Sequence, residues 1–229
     1  MALYVVLFAG CGIGPAYDSP RFVNDLQRLG NCFMNVSGAS VDRIFVLYGD
    51  GTPTFTFGGQ AAQVRGGTLQ SVQATLAAVS SRASLDDVFV FVASNHGGPA
   101  FGPSACTLWC WGDCATLTAT YFQSLCAGLR CRRQTYILGQ CYSGGFIAAL
   151  RSGSRLIMTA CGDGEQSYPT SGGNYDEFLL RVAEALEGGA TTLEQVFYHA
   201  QATDTQQEHP QISDDGGIGK DQSILLPRG

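Results

Sequence analysis

The segment Thr135-Tyr136-Ile137-Leu138-Gly139-Gln140-Cys141-Tyr142-Ser143-Gly144-Gly145 decides how this chain is read. Four strand-forming residues run straight into a glycine, two polar residues and, three positions on, a glycine pair. An apolar run of this length without alternation is the pattern of a strand covered on both faces. Five other stretches share it, at residues 3–8, 43–48, 88–93, 155–159 and 223–226. The run at 88–93 also stops abruptly, in Ser94-Asn95-His96-Gly97-Gly98.

Helical patterns lie between the runs. Ser19-Pro20 opens one, with Phe22, Val23, Leu26 and Leu29 as its stripe and Gly30 as its stop. Thr68 caps a second, striped by Leu69, Val72, Leu76 and Val79, and Phe122, Leu125, Cys126 and Leu129 form a third. Tyr175, Phe178, Leu179, Val182 and Leu186 make a fourth, ended by Gly188-Gly189. Thr192 and Gln195 form a capping box ahead of Val196 and Phe197. Strands alternating with helices predict an α/β fold with a mostly parallel sheet and helices on both faces. No linker or repeat divides the chain, so one domain over residues 1–229 is expected.

Composition narrows the class. Charged residues make up 14% and hydrophobic ones 45%, with 30 glycines. So much apolar residue excludes a disordered chain, and so much glycine excludes a coiled coil. The net charge is −6, and the only basic cluster, Arg130, Arg132 and Arg133, reads as a solvated turn. Nucleic acid is therefore not an expected partner. Residues 2–9 are apolar but lack a basic leader and are too short to span a bilayer, and no later run is long enough. Nine cysteines, an odd number, do not read as a secreted disulfide framework, which predicts a reducing, cytoplasmic setting.

In open parallel sheets, ligands bind beyond the carboxyl ends of the strands, near the point where strand order reverses. Two strand ends here present a histidine and a cysteine, each followed by glycine that admits a close backbone. A cysteine needs a base to supply thiolate near neutral pH, and imidazole titrates in the right range. The backbone N–H groups of Gly97 and Cys141 are placed to receive an oxyanion. His199, late in a helix, and His209, before Pro210, are poorer candidates.

Residues 90–97 and 136–145 resemble the His-Gly and Cys-x-Ser-Gly signatures of the caspase–legumain group of cysteine peptidases. Cys141-Tyr142-Ser143-Gly144-Gly145-Phe146 is most similar to bacterial legumain-like members. Met158-Thr159-Ala160-Cys161-Gly162-Asp163-Gly164-Glu165-Gln166-Ser167-Tyr168 resembles the legumain segment between the strand after the cysteine and the substrate pocket. Asn24-Asp25 resembles the acidic position of the group's first helix. The resemblance covers residues 3–205. It implies a caspase-like three-layer sandwich with a six-stranded sheet, and peptide hydrolysis through a thioester acyl-enzyme without metal or organic cofactor. Cys141 is then the nucleophile, His96 the acid–base group and Gly97 N–H an oxyanion donor, acting on a protein or peptide substrate. The histidine and cysteine of the group can stand apart before substrate binds.

The resemblance also places a P1 pocket at Arg21, Gln166, Ser167 and Asp176. Arg21 there favours an acidic or amide side chain, whereas Asp176, Asp163 or Glu165 favours a cationic one. Legumains carry glutamate two positions before the cysteine and metacaspases aspartate; this chain has Gly139. Asn95 stands where legumains carry aspartate, and transpeptidation is a side reaction of the group.

Other features carry less. Cys106, Cys110 and Cys114, with Trp109 and Trp111 between them, read as apolar residues of an insertion near the site mouth, with a metal site or a disulfide as alternatives. The glycines at 10, 12 and 14 miss the dinucleotide spacing at Pro15, and 214–217 reads as a turn rather than a calcium loop. Only Pro227, Arg228 and Gly229 follow the last expected strand, so no autoinhibitory extension is expected. The alternative function is a catalytically silent scaffold on the same fold, binding a protein partner through the substrate groove.

Overall fold

The central sheet has seven strands in the computed structural model, which describes residues 1–12, 14–99, 106–112 and 115–221. They are β1 (Leu3–Ala9), β2 (Ile44–Tyr48), β3 (Gln63–Arg65), β4 (Val88–Ala93), β5 (Arg133–Leu138), β6 (Arg155–Thr159) and β7 (Gln211–Asp214). Their order is β7-β6-β5-β4-β1-β2-β3, and every neighbouring pair is parallel except β7 against β6. The chain runs outward from β1 to β3, then restarts at β4 on the other side of β1. The order therefore reverses between β1 and β4, where a ligand site is expected in such sheets.

Five of the six expected strands are present, and the sixth, at 223–226, lies outside the described residues. The two edges are instead β3 and β7, short strands with polar, partly exposed side chains. That is the usual character of an edge, which has no layer covering both of its faces.

Side chains alternate across the sheet and fill two apolar layers. Helices α1 (Pro20–Asn35), α2 (Leu69–Arg82), α3 (Ala119–Cys126), α4 (Ile147–Leu150), α5 (Glu177–Glu187) and α6 (Leu193–Thr203) cover it. Val5 and Leu7 pack with Phe22, Leu26 and Phe178 of α1 and α5, and with Val196 of α6. Val6 and Phe8 pack with Val72, Phe122 and Leu150 from α2, α3 and α4 on the other face. Thr68 caps α2 by accepting the Ser71 N–H, and the Thr192–Gln195 capping box forms as expected. Tyr175 precedes α5 and Leu129 follows α3, so neither helix is as long as its apolar pattern.

Gly30 does not stop α1, which continues to Asn35. A side chain there would overlap the ring of Phe57, so the glycine serves helix-to-strand packing inside the helix. Among the described residues no helix is long and apolar enough to cross a membrane, and no cluster of His, Cys, Asp or Glu is arranged to hold a metal. Cys106 and Cys110 are buried in the second apolar layer, and Cys114 lies outside the described residues.

A hairpin of Thr107–Trp109 and Thr116–Thr118 pairs with Gly97–Gly98 to make a small antiparallel sheet. It lies over the carboxyl ends of the central strands, tied down where Trp111 N–H donates to the Gly67 carbonyl at 2.9 Å. Glycine is needed beneath it. A Cβ on Gly10 would overlap the Trp109 carbonyl oxygen, and one on Gly67 would stand 2.7 Å from the Ala9 carbonyl oxygen. Gly10→Ala is expected to cost about 1–3 kcal/mol, the usual penalty of overpacking. Gly153→Ala, where a Cβ meets open space, is the control and should change little. Thermal unfolding of the two variants measures the difference.

Candidate active site

The parallel register sets β4 and β5 side by side with their ends level, Ala93 opposite Leu138. His96 and Cys141 each follow their strand by three residues, so adjacent strand ends deliver them to one edge. Gly97 reaches across: a side chain there would overlap the Cys141 carbonyl oxygen and stand 2.7 Å from Gln140 Cγ. The glycines after the two strands thus admit the chain's own backbone. A Cβ on Gly144 would lie 2.7 Å from Asp163 N, and one on Gly145 would overlap the Cys106 sulfur.

Cys141 is half-buried, while the other described cysteines are buried. It is followed by Tyr142 at φ 60°, a left-handed conformation that turns the strand sharply into the 3₁₀ turn Ser143–Phe146. The turn is fastened from outside. Tyr142 N–H donates to the Glu165 carbonyl at 2.7 Å, Gly144 N–H to the Cys161 carbonyl at 3.0 Å, and Cys161 N–H to Ser143 Oγ at 3.2 Å. The Cys141 thiol points toward Ser167, with Sγ 3.6 Å from its carbonyl oxygen and 3.7 Å from its hydroxyl. Burial pushes the competing thiols up, Cys110 and Cys126 to about 12 and Cys131 and Cys161 to about 11. Those groups are inert near neutral pH.

His96 sits in an aromatic box, its ring 5.2 Å from Phe22, 5.4 Å from Trp109 and 6.5 Å from Tyr17. Its Nε2 lies 2.8 Å from the Tyr17 carbonyl oxygen. A carbonyl can only accept, so Nε2 carries the hydrogen and Nδ1 keeps the lone pair. Burial lowers the pKa below the usual histidine value, and the Tyr17 carbonyl opposes that shift. The imidazole is therefore neutral at neutral pH and able to take a proton at Nδ1. No hydrogen bond joins His96 to Cys141.

Next to this pair lies a buried carboxyl cluster. Asp25, on the sheet-facing side of α1, accepts the Ser94 hydroxyl at 2.6 Å and the Asp176 N–H at 3.2 Å. Asp176 caps α5 by accepting Leu179 N–H at 3.1 Å. A Cβ on Gly139 would stand 3.0 Å from Asp176 Oδ1 and 2.7 Å from Leu179, so these two fill the space beside that strand residue. Burial raises Asp176 to about 7 and Asp25 well above its ordinary value, while the Arg21 guanidinium pulls both down. Arg21 forms no ion pair with either, and its Nε is buried without a partner. Gln166, grouped with these residues by the sequence, is instead exposed and makes no side-chain hydrogen bond.

A strap at 204–210 braces the segment that carries Ser167. Glu208 accepts Tyr168 N–H at 2.8 Å, Thr205 N–H donates to Glu177 at 3.0 Å, and His209 meets Glu165 at 2.9 Å. Asp204 Oδ2 and Glu208 Oε1 are both buried without a hydrogen-bond partner, and burial raises the pKa of both carboxyls. Burial, reinforced by Asp176, raises Glu208 to about 10. The unfolded chain releases the Glu208 proton near pH 4. Between these values the folded state holds a proton the unfolded state has lost, so this group's contribution falls as pH rises. Glu208→Gln keeps an acceptor for Tyr168 N–H and removes the titrating carboxyl. The variant's unfolding midpoint should match the wild type near pH 4.5 and exceed it at pH 8.5, by about 2–4 °C per kcal/mol recovered in a chain this size. Melting curves at the two pH values test it.

Over nearly its full length the fold is similar to the crystal structure of protein GSU0716 from Geobacter sulfurreducens, with a TM-score of 0.69 and 12% sequence identity, covering 99% of this chain and 100% of that one. No curated protein sequence matches the chain. The sequence profile described as the Peptidase C13 family matches residues 59–216, more than half of the chain and both the His96 and Cys141 segments. The chain thus has a caspase-like fold and belongs to the peptidase C13 family, the legumain family of cysteine peptidases.

Proposed function

We propose that the protein is a cysteine endopeptidase in which Cys141 and His96 form the working dyad. The observation that carries this is the contrast among the thiols. Cys141 alone of the described cysteines is partly accessible, and it stands at the strand end next to a neutral histidine with a free Nδ1.

The chemistry follows from those positions. The Cys141 sulfur attacks the scissile carbonyl carbon, and its proton passes to the imidazole. The oxygen gains negative charge beside the backbone N–H groups of Gly97 and Cys141. The imidazolium returns its proton to the departing amine, the C–N bond breaks, and a thioester remains on Cys141. Water, deprotonated by His96, then cleaves the thioester to acid and thiol. A peptide amine in place of water gives transpeptidation. The His96 to Cys141 gap closes when substrate completes the site, since such hydrogen bonds tighten in the reacting complex.

Arg21, Ser167 and Asp176 are the proposed P1 contacts. The unpartnered Arg21 Nε offers a hydrogen bond to an acidic or amide side chain, and a protonated Asp176 does not repel one. Gln166, exposed, is left to the rim. The missing His96–Cys141 hydrogen bond is the one observation that favours a silent scaffold instead. Cleavage of a peptide library separates the two readings. Cys141→Ala should reduce cleavage to background, and His96→Ala should lower kcat/KM by about 10²–10⁴-fold, the usual worth of a general acid–base group. Cleavage that persists in pure Cys141→Ala, or a wild type that cleaves nothing, overturns the proposal.

A further inference from the structure

We propose that Asn95 is a positioning residue for His96, and that its side chain must be an amide rather than an acid. Asn95 is 3% exposed, and both ends of its carboxamide are engaged within the chain. Its carboxamide bridges two segments: Oδ1 accepts the Cys11 N–H at 3.0 Å, and Nδ2 donates to the Trp109 carbonyl at 2.6 Å. Trp109 N–H in turn donates to the His96 carbonyl at 3.2 Å. The peptide of Trp109 is therefore held at both ends by the neighbouring residues Asn95 and His96.

Each bonded partner touches the imidazole or its support. The Trp109 indole packs on the His96 ring at 5.4 Å and on Tyr17 at 5.8 Å, and the Tyr17 carbonyl accepts from Nε2. Cys11 holds φ 58°, an unfavourable conformation for a residue with a side chain, at the start of the loop that leads to Tyr17. Asn95 thus fixes the hairpin on one side of the imidazole and the β1 loop on the other. An aspartate could still accept from Cys11. It has no hydrogen for the Trp109 carbonyl and would set a carboxylate against that oxygen. The amide is matched to the hairpin seated above it.

The charged groups acting on His96 are Asp18, from the loop after β1, and Arg21, from α1. Asn95→Asp adds a negative charge on β4's side and loosens the indole that buries the ring. Both changes favour the imidazolium, so the His96 pKa rises. Asn95→Ala loosens the ring without the charge and should raise it less.

The activity arm of the test rests on the peptidase reading; the spectroscopic arm does not. The chain has three histidines, so ¹⁵N-imidazole spectra with a His96→Gln control assign the His96 signals. The wild type should show the Nε2–H tautomer and a depressed pKa. Asn95→Asp should raise that pKa by about one unit or more, mix the tautomers, and lower kcat about tenfold or more with KM within about twofold. A merely structural role predicts a lower unfolding midpoint with the pKa and tautomer of the folded protein unchanged, and that result overturns the proposal. Asn95→Ser, which removes the amide without adding a charge, gives the same readouts where the other variants fail to fold. A wild type that cleaves no peptide removes the peptidase reading and leaves the spectroscopic result to decide on Asn95.

Discussion

Residue 97 has no room for a side chain, because its Cα lies against the backbone of Cys141. That steric limit fastens the end of β4 to the end of β5, and the site is built on it. The two strands run parallel and in register, so His96 and Cys141 emerge level from adjacent strands. Any residue larger than glycine at 97 would push apart the two strand ends that carry His96 and Cys141. The hairpin at 107–118 then closes over the junction and places Trp109 on the imidazole. It is admitted by further glycines under its path, at 10 and 98. At Gly10, Gly67, Gly97 and Gly144 the absent side chain admits the chain's own backbone.

A second constraint is electrostatic. Beside His96 and Cys141, Asp25, Asp176 and Glu208 are buried, with Arg21 as the cation that lowers the first two. Desolvation is met by protons and backbone donors rather than by close ion pairs. The segment that carries Ser167 is thus braced by Glu208, which stays protonated through neutral pH, beside Asp176, which is raised to about 7.

The strands, the helix caps and the two chemistry-bearing strand ends were legible in the sequence because continuous apolar runs and capping residues have a direct physical cause. The edge strands β3 and β7 were not, since an edge carries polar, half-exposed side chains that look like loop. Gly30 misled for a related reason: glycine ends helices, yet here it admits the Phe57 ring from another element. The Tyr17 carbonyl on His96 left no sequence signal, because a backbone acceptor has no residue type. Asp25 did leave one, a carboxylate set between Phe22 and Leu26 on a helix stripe that is otherwise apolar. Glu208 sits in a run of polar residues and reads as surface; only the packing of the strap on 165–177 buries it. Ser167 stands beside the Cys141 thiol, while its neighbour Gln166, grouped with it by the sequence, is exposed.

The thiols offer the most direct measurement. Treating the native protein with a peptide-based electrophile and mapping adducts by mass reports which sulfur is nucleophilic. The tryptic peptide 134–151 contains Cys141 as its sole cysteine, so an adduct there is unambiguous. One fast adduct on that peptide, slowed many-fold by His96→Ala while the buried thiols stay unlabelled, is the result expected of this site. Equal, slow labelling of several cysteines, or a Cys141 rate indifferent to His96, would contradict it.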